Sequence, residues 1–217
     1  MSLYFIKTPT IIQKIFKNLV WSFSSSISNQ KVIYLSFDDG PTHEITEWTL
    51  KTLKEFNAKA TFFCIGKNMK NHPKIVQQII DHGHTIGNHT YNHLNGWKSG
   101  NATYFKDIDE TEKTFQRFNF PTFQQKLFRP PYGKIKNKQA KLLIKKGYKI
   151  IMWDVLSADF DQSISVEKCF KNVIRNVKNG SIVIFHDSKK AEKNMKYTLP
   201  KVLDYFTQKG YVFKAIK

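Results

Sequence analysis

A chain of 217 residues that is 41% hydrophobic carries enough apolar material for one full core and too much for a disordered polymer. Its 35 Lys and Arg outnumber 17 Asp and Glu, giving a net charge of +18; the lysines are nevertheless spread along the chain without a zinc-finger or RNA-binding signature, so nucleic acid is not the expected partner. No apolar run is long enough to span a membrane, and Cys64, in an apolar strand-like run, and Cys169, in a helix-like one, read as buried free thiols rather than a bridge.

Residues 1–30 read as an N-terminal helix and linker preceding one globular domain over 31–217. Ile11, Ile12, Ile15, Phe16, Leu19 and Val20 recur at helical spacing after Thr8-Pro9, which predicts an amphipathic helix packed on its own domain. The alternative is peripheral contact of residues 8–22 with a membrane surface. Lys14 and Lys17 break the apolar core that a secretory leader needs, and no small-residue cleavage site follows, so the expected location is cytoplasmic or membrane-peripheral. Residues 23–30 are Ser-rich and read as a linker.

The next stretch, from Val32 to Phe37, is a short apolar run that stops on Asp38, Asp39 and a Gly40-Pro41 turn, the pattern of a buried strand followed by a break. Helical periodicity follows over 44–56, then a strand over 60–66, a helix over 74–82 opened by Pro73, and a short strand over 84–88. Further helices are predicted over 107–118, 138–146, 166–178 and 200–209. Further strands are predicted at Leu127-Phe128 and over 149–155, 181–185 and 211–216. About seven strands alternating with helices make parallel βα units, which close into a barrel or an open doubly wound sheet; no glycine-rich phosphate fingerprint follows the first strand. In either architecture the active site lies beyond the carboxyl ends of the strands.

Five predicted strand ends carry the reactive residues. They are Asp38 and Asp39, His89 and His93, Arg129 to Tyr132, Asp154 and Asp159, and His186 and Asp187. Two aspartates beside an apolar core need a cationic partner or a turn to justify them. His89 and His93 are spaced to share one face of a helical turn, as zinc sites need, but Thr90 stands where a zinc protease carries glutamate. The base must therefore come from elsewhere, and Asp38 or Asp39 can supply it. Two histidines and one carboxylate make a three-ligand site with an open position. Arg129 is suited to fix a carboxylate through a forked pair. His186 is either a core histidine satisfied by Asp187 or a proton donor. Trp97, Tyr132, Trp153 and Phe160 can stack on a sugar face, although aromatics in a Phe-rich chain are more often core.

Taken in order, Ser36-Phe37-Asp38-Asp39-Gly40-Pro41, His89-Thr90-Tyr91-Asn92-His93, Arg129-Pro130-Pro131-Tyr132-Gly133 and Ile182-Val183-Ile184-Phe185-His186-Asp187 resemble the motifs of the polysaccharide deacetylase family, the chitooligosaccharide deacetylase-like (NodB) carbohydrate esterases. The resemblance spans residues 31–217. It implies a distorted (β/α) barrel of about seven parallel strands, and metal-dependent removal of N-acetyl groups from a peptidoglycan- or chitin-like amino-sugar polymer or oligosaccharide. Zinc is the expected metal, with cobalt, nickel or manganese as alternatives. Carried over by position, Asp38 is the general base, Asp39, His89 and His93 the metal ligands, and Arg129 the residue holding Asp38. His186 is the acid, with Asp159 as its partner, and the Tyr132 N–H helps to stabilise the oxyanion. Ile184 lines the acetyl pocket, and Pro131, Tyr132 and Phe160 contact substrate. Two positions depart from the family pattern: Phe160 follows Asp159 where tryptophan is usual, and Leu156 stands where relatives often have a carboxylate. The alternatives are an O-acetyl carbohydrate esterase and a catalytically weak carbohydrate-binding barrel.

Overall fold

The apolar run that ends on two aspartates is the central strand of a curled parallel sheet in the computed structural model, which describes residues 4–23, 30–118 and 126–217. The strands are β1 (Lys31–Asp38), β2 (Ala60–Cys64), β3 (Thr85–Asn88), β4 (Leu127–Phe128), β5 (Lys149–Ile150), β6 (Val155–Leu156), β7 (Ile182–His186) and β8 (Tyr211–Phe213). They pair in the order β5-β4-β3-β2-β1-β7-β6, with β8 alongside the first residues of β1. Every strand-to-strand pairing is parallel, so all carboxyl ends open on one side of the sheet. The helices are α1 (Thr10–Ile15), α2 (Ile45–Glu55), α3 (Gly66–Asn71), α4 (Pro73–Asp81), α5 (Asn101–Phe115), α6 (Asn137–Lys145), α7 (Val166–Ile174) and α8 (Glu192–Gln208). The distorted barrel expected from the sequence is the observed architecture.

β1, β2 and β7 are apolar on both faces because helices cover one and the barrel interior the other. Phe37 stacks on Phe62 and Phe185, with ring centroids 5.0 and 6.0 Å apart, and locks the three central strands together. Both cysteines are buried and free.

Several sequence expectations change: α5 starts at Asn101 rather than at 107, and α3 falls where no helix is predicted. The strand predicted over 149–155 is two strands, β5 and β6, on opposite edges of the sheet. The continuous run of apolar residues there comes from burial on both faces as the chain crosses from one edge to the other, which periodicity cannot distinguish from a single strand. α8 starts at Glu192 rather than at Pro200, because the buried stripe Met195, Leu199, Val202, Leu203 and Phe206 carries the helix through the proline. The N-terminal helix is only Thr10–Ile15 and buries none of its residues; Ile11 and Ile15 are 64% and 65% exposed. Six residues are too few to present a stripe to the barrel.

What holds residues 4–23 is backbone pairing together with Tyr4, Ile6, Leu19, Val20, Trp21 and Phe23, which pack on the core on either side of the helix. Thr8 N and Val20 N donate to Asp154 O and Ile150 O, at 2.9 Å each, while Met152 N and Leu156 N donate to Val20 O and Ile6 O at 2.7 and 2.8 Å. The segment thus fills the seam between β5 and β6. The Lys7 ammonium, 2.6 Å from the buried Asp154 carboxylate, closes it electrostatically. The Ser-rich linker expected over 23–30 falls largely on residues 24–29, outside the described residues. Deleting residues 1–22 is therefore expected to lower the thermal midpoint, and Lys7→Met alone to cost about 1–3 kcal/mol by leaving Asp154 uncompensated. A denaturation midpoint unchanged in both would show that the barrel closes without the segment.

Candidate active site

The strand ends bring Asp38, Asp39, His89, His93 and His186 around one open cavity of about 490 Å³, which Tyr4, Tyr132, Trp153, Leu156, Phe160 and Ile184 also line. That size is usual for a small-molecule site. The loops that carry these side chains hold five non-glycine residues at positive φ: Asp39 (78°), Thr90 (62°), His93 (57°), Tyr132 (61°) and Ala158 (60°). Each such residue costs roughly 1–3 kcal/mol and persists only where its surroundings enforce it.

For the His89–His93 loop the enforcing groups are visible. Asp107 of α5 accepts hydrogen bonds from Tyr91 N at 2.8 Å and Asn92 N at 2.9 Å, and Asn88 Oδ1 accepts from Thr90 N at 2.9 Å. The first N–H groups of α3, on Gly66 and Lys67, donate to Thr90 O and Tyr91 O at 3.0 and 3.1 Å. A Cβ at Gly66 would lie 2.6 Å from the Tyr91 ring, so only glycine allows this approach. The helical turn expected for the two histidines is thus absent. They converge through left-handed residues, with ring centroids 5.1 Å apart.

Asp38 and Asp39 diverge, as consecutive residues leaving a strand do. Asp38 is buried, and Arg129 Nη1 donates to its Oδ1 at 2.7 Å and to Ser36 Oγ at 2.7 Å. The expected forked pair is therefore single-armed. Arg129 Nε and Nη2 donate instead to Ile151 O and Met152 O at 3.1 and 3.0 Å, and the guanidinium lies 4.1 Å from the Phe63 ring centroid. This satisfies a fully buried cation without occupying the second oxygen of Asp38. Asp39 Oδ1 is 3.2 Å from His93 Nε2 and 3.7 Å from His89 Nε2. Burial would raise the Asp39 carboxyl, but His93, His186 and His89 hold it below its ordinary range.

Whether these residues fit a cation can be read from His89. Its Nδ1 lies 2.8 Å from Arg129 O, and a carbonyl only accepts, so Nδ1 carries the proton. Burial keeps the ring neutral by lowering it to about 4. Nε2 then presents a lone pair towards Asp38 Oδ2 at 3.8 Å and Asp39 Oδ1 at 3.7 Å. Lone pairs facing one another are unfavourable unless a cation lies between them, and a carbonyl behind a ligating imidazole is the usual way to fix it. The ligand atoms of Asp39, His89 and His93 lie within 4.8 Å of one another, so the set fits a divalent metal.

Across the cavity, both oxygens of the buried Asp159 engage His186: one accepts from its backbone N at 2.7 Å, the other lies 2.8 Å from Nδ1. Burial opposes charge on His186, but the Asp159 carboxylate outweighs it and raises the imidazole to about 9. Asp187, weighed above as the histidine's partner, points elsewhere. It accepts from Gly40 N at 3.1 Å and from the Thr46 hydroxyl, and a Cβ on Gly40 would meet its carboxylate at 2.0 Å. Asp187 thus pins the turn that presents both aspartates, and burial raises its carboxyl to about 8.

Other sequence expectations divide. Tyr132 packs on His93 at 4.5 Å, and Phe160 meets His186 edge-on at 5.1 Å, both in the cavity. Ile184 and Leu156 form part of its apolar lining. Pro131, expected to contact substrate, is buried and is not among the side chains that line the cavity; its ring opens the turn that carries Tyr132. Trp97 is 59% exposed and faces a different groove, with its Nε1 donating to Ile135 O. Asp154 serves the seam. Sequence reasoning missed Asp107 and Tyr4: Asp107 acts through backbone N–H groups, and Tyr4 reaches the cavity only because residues 4–23 close the barrel.

A family model described as polysaccharide deacetylase matches residues 26–151. The chain belongs to the polysaccharide deacetylase family. Within it, the chain is 34% identical over 190 residues to a peptidoglycan-N-acetylglucosamine deacetylase of Bacillus cereus, covering 87% of this chain and 88% of that one. It is 33% identical over 159 residues to a chitooligosaccharide deacetylase of Azorhizobium caulinodans, covering 73% and 75%. Other relatives are longer, and the chain spans 57% of a second B. cereus deacetylase. The crystal structure of the Bc1960 peptidoglycan N-acetylglucosamine deacetylase, in complex with a naphthalenyl-N-oxidanyl-benzamide, superposes with a TM-score of 0.85 at 32% identity, covering 96% of this chain and 95% of that one. Polysaccharide deacetylases are metal-dependent, in keeping with the Asp39, His89 and His93 set. No helix among the described residues is long and apolar enough to cross a membrane.

Proposed function

We propose that the chain hydrolyses the N-acetyl group of an N-acetylglucosamine-containing glycan, of the peptidoglycan or chitin-oligomer type, releasing acetate and a free amino sugar. The observation that carries this reading is the division between neighbouring carboxylates. Asp38 is tied through one oxygen to Arg129 and leaves the other towards the cavity, while Asp39 turns to His89 and His93. Asp39, His89 and His93 would hold a divalent cation, zinc by preference for imidazole and carboxylate donors. When bound, such a cation supplies Lewis-acid polarisation of the amide carbonyl and of the attacking water.

The protein's own groups then have distinct roles. Asp38 takes the proton of the water as its oxygen adds to the acetyl carbon, and Arg129 keeps the carboxylate aimed. The Tyr132 N–H donates to the carbonyl oxygen as negative charge develops there. His186, protonated at neutral pH beside Asp159, gives its proton to the amide nitrogen as the C–N bond breaks. Leu156, Ile184 and Trp153 supply apolar surface for the methyl group, and Tyr132 and Phe160 supply faces for a sugar ring. Acetate should be released from N-acetylglucosamine oligomers and not from acetylated xylan; the reverse preference would make the chain an O-acetyl esterase.

The pH profile tests the His186–Asp159 pair. A raised acid loses its proton as pH rises, so it sets the basic limb of kcat/KM, and a bound cation moves that limb below 9 by opposing the imidazolium. In Asp159→Asn the largest raising charge is gone while burial and the weaker pull of Asp39 and Asp38 remain, so the histidine should fall and carry the basic limb down with it. A basic limb that does not move would mean that His186 does not titrate in turnover.

A further inference from the structure

A second groove lies on the far side of Gly133 from the catalytic cavity, between α1 and α6, and no step of the hydrolysis uses it. Its walls include Ile12, Ile15, Phe16, Leu19, Trp97 and Ile144. Around it, large apolar side chains face outward: Ile11 at 64%, Ile15 at 65%, Phe16 at 40%, Trp97 at 59% and Ile144 at 39%. Among the described residues they are five of the eight large hydrophobic side chains that are strongly exposed, the others being Phe5, Tyr132 and Leu142. Clustering of this kind marks an interaction surface rather than chance exposure.

The charge around the groove identifies its occupant. Residues 4–23 contain Lys7, Lys14 and Lys17 and no Asp or Glu, and residues 126–153 contain eight lysines and Arg129 and again no Asp or Glu. Lys146 pairs with Asp109 of α5, but Lys14, Lys17, Lys138, Lys141 and Lys145 are exposed and enter no ion pair among the described residues. An apolar centre with a predominantly cationic rim matches the interface of an anionic bilayer, where aliphatic and Trp side chains enter the headgroup boundary and lysines reach phosphate. A second copy of the chain would set two cationic rims against each other. A soluble polyanion would leave the aliphatic side chains in water.

We infer that the α1–α6 face docks on the surface of an anionic phospholipid bilayer. Docked there, the protein holds its catalytic cavity beside the lipid, since Gly133 borders both concavities. The test is flotation of the full chain with vesicles containing about 30 mol% phosphatidylglycerol, against pure phosphatidylcholine. Binding is expected only to the anionic vesicles. Ile11→Ser/Ile15→Ser should weaken it by on the order of a hundredfold, and Lys14→Glu/Lys141→Glu by at least roughly tenfold. All four positions are exposed, so the thermal midpoints of both variants should match the parent, which separates lost docking from lost folding. Binding that survives the serine substitutions but is competed away by polyphosphate would overturn the proposal in favour of a soluble polyanion. A dimer abolished by the same substitutions, or no vesicle binding at all, would also overturn it.

Discussion

Asp38→Asn is expected to retain the bound cation and lose kcat by roughly 10²–10⁴-fold, whereas Asp39→Ala loses cation and turnover together. The difference follows from where the two carboxylates point. Asp39 lies against both histidines, and with only three protein ligands its removal leaves no redundancy. Asp38 lies against Arg129 and Ser36, and an asparagine can still accept from Arg129 through its carbonyl oxygen while having no basic lone pair for a proton. Asp38→Asn also strips a buried guanidinium of its counter-charge, so its thermal midpoint should fall. Metal content is therefore best measured by mass spectrometry on the folded fraction. Equal loss of metal in the two variants would break the division of roles.

His186→Ala should cost roughly 10²–10⁴-fold on amide substrates, the usual contribution of a positioned acid, and flatten the basic limb of the pH profile. On an activated aryl acetate the leaving group departs without a proton, so the loss should be far smaller. The geometry supports this contrast: Nδ1 is committed to Asp159, which leaves Nε2 as the nitrogen available to a substrate in the cavity that His186 lines. An equal loss on both substrates would make His186 a structural or binding residue. The acid would then be sought in Asp159 or Asp187, of which Asp187 already holds the turn at Gly40.

The parallel βα order was legible because buried strands are short apolar runs closed by turn residues, and the position of reactive residues at strand ends follows from that order alone. β1, β2 and β7 read this way directly. The crossing from β5 to β6 did not, because the apolar run Ile150 to Trp153 carries no mark of which sheet edge each side of it joins. The convergence of His89 and His93 was foreseen from their spacing but for the wrong local geometry. A left-handed Thr90 leaves little local signal when, beyond Asn88, the groups that stabilise its loop, Asp107 and the start of α3, are supplied from elsewhere in the chain. Single-armed pairing by Arg129 was similarly invisible, since two of its acceptors are backbone carbonyls. The N-terminal segment shows the opposite failure: a helical period was present, yet pairing of the flanking extended residues fixes the segment and leaves the period exposed.

On the function proposed above, one divalent cation held by Asp39, His89 and His93 would make this chain a deacetylase of N-acetylglucosamine glycans. The most direct measurement is titration of chelator-treated protein with zinc while acetate release from an N-acetylglucosamine oligomer is followed. Activity is expected to rise linearly and saturate at about one equivalent per chain, with Asp39→Ala flat throughout. Acetate release by the metal-free protein at the saturated rate, or none with zinc, cobalt, nickel or manganese despite stoichiometric binding, would contradict it.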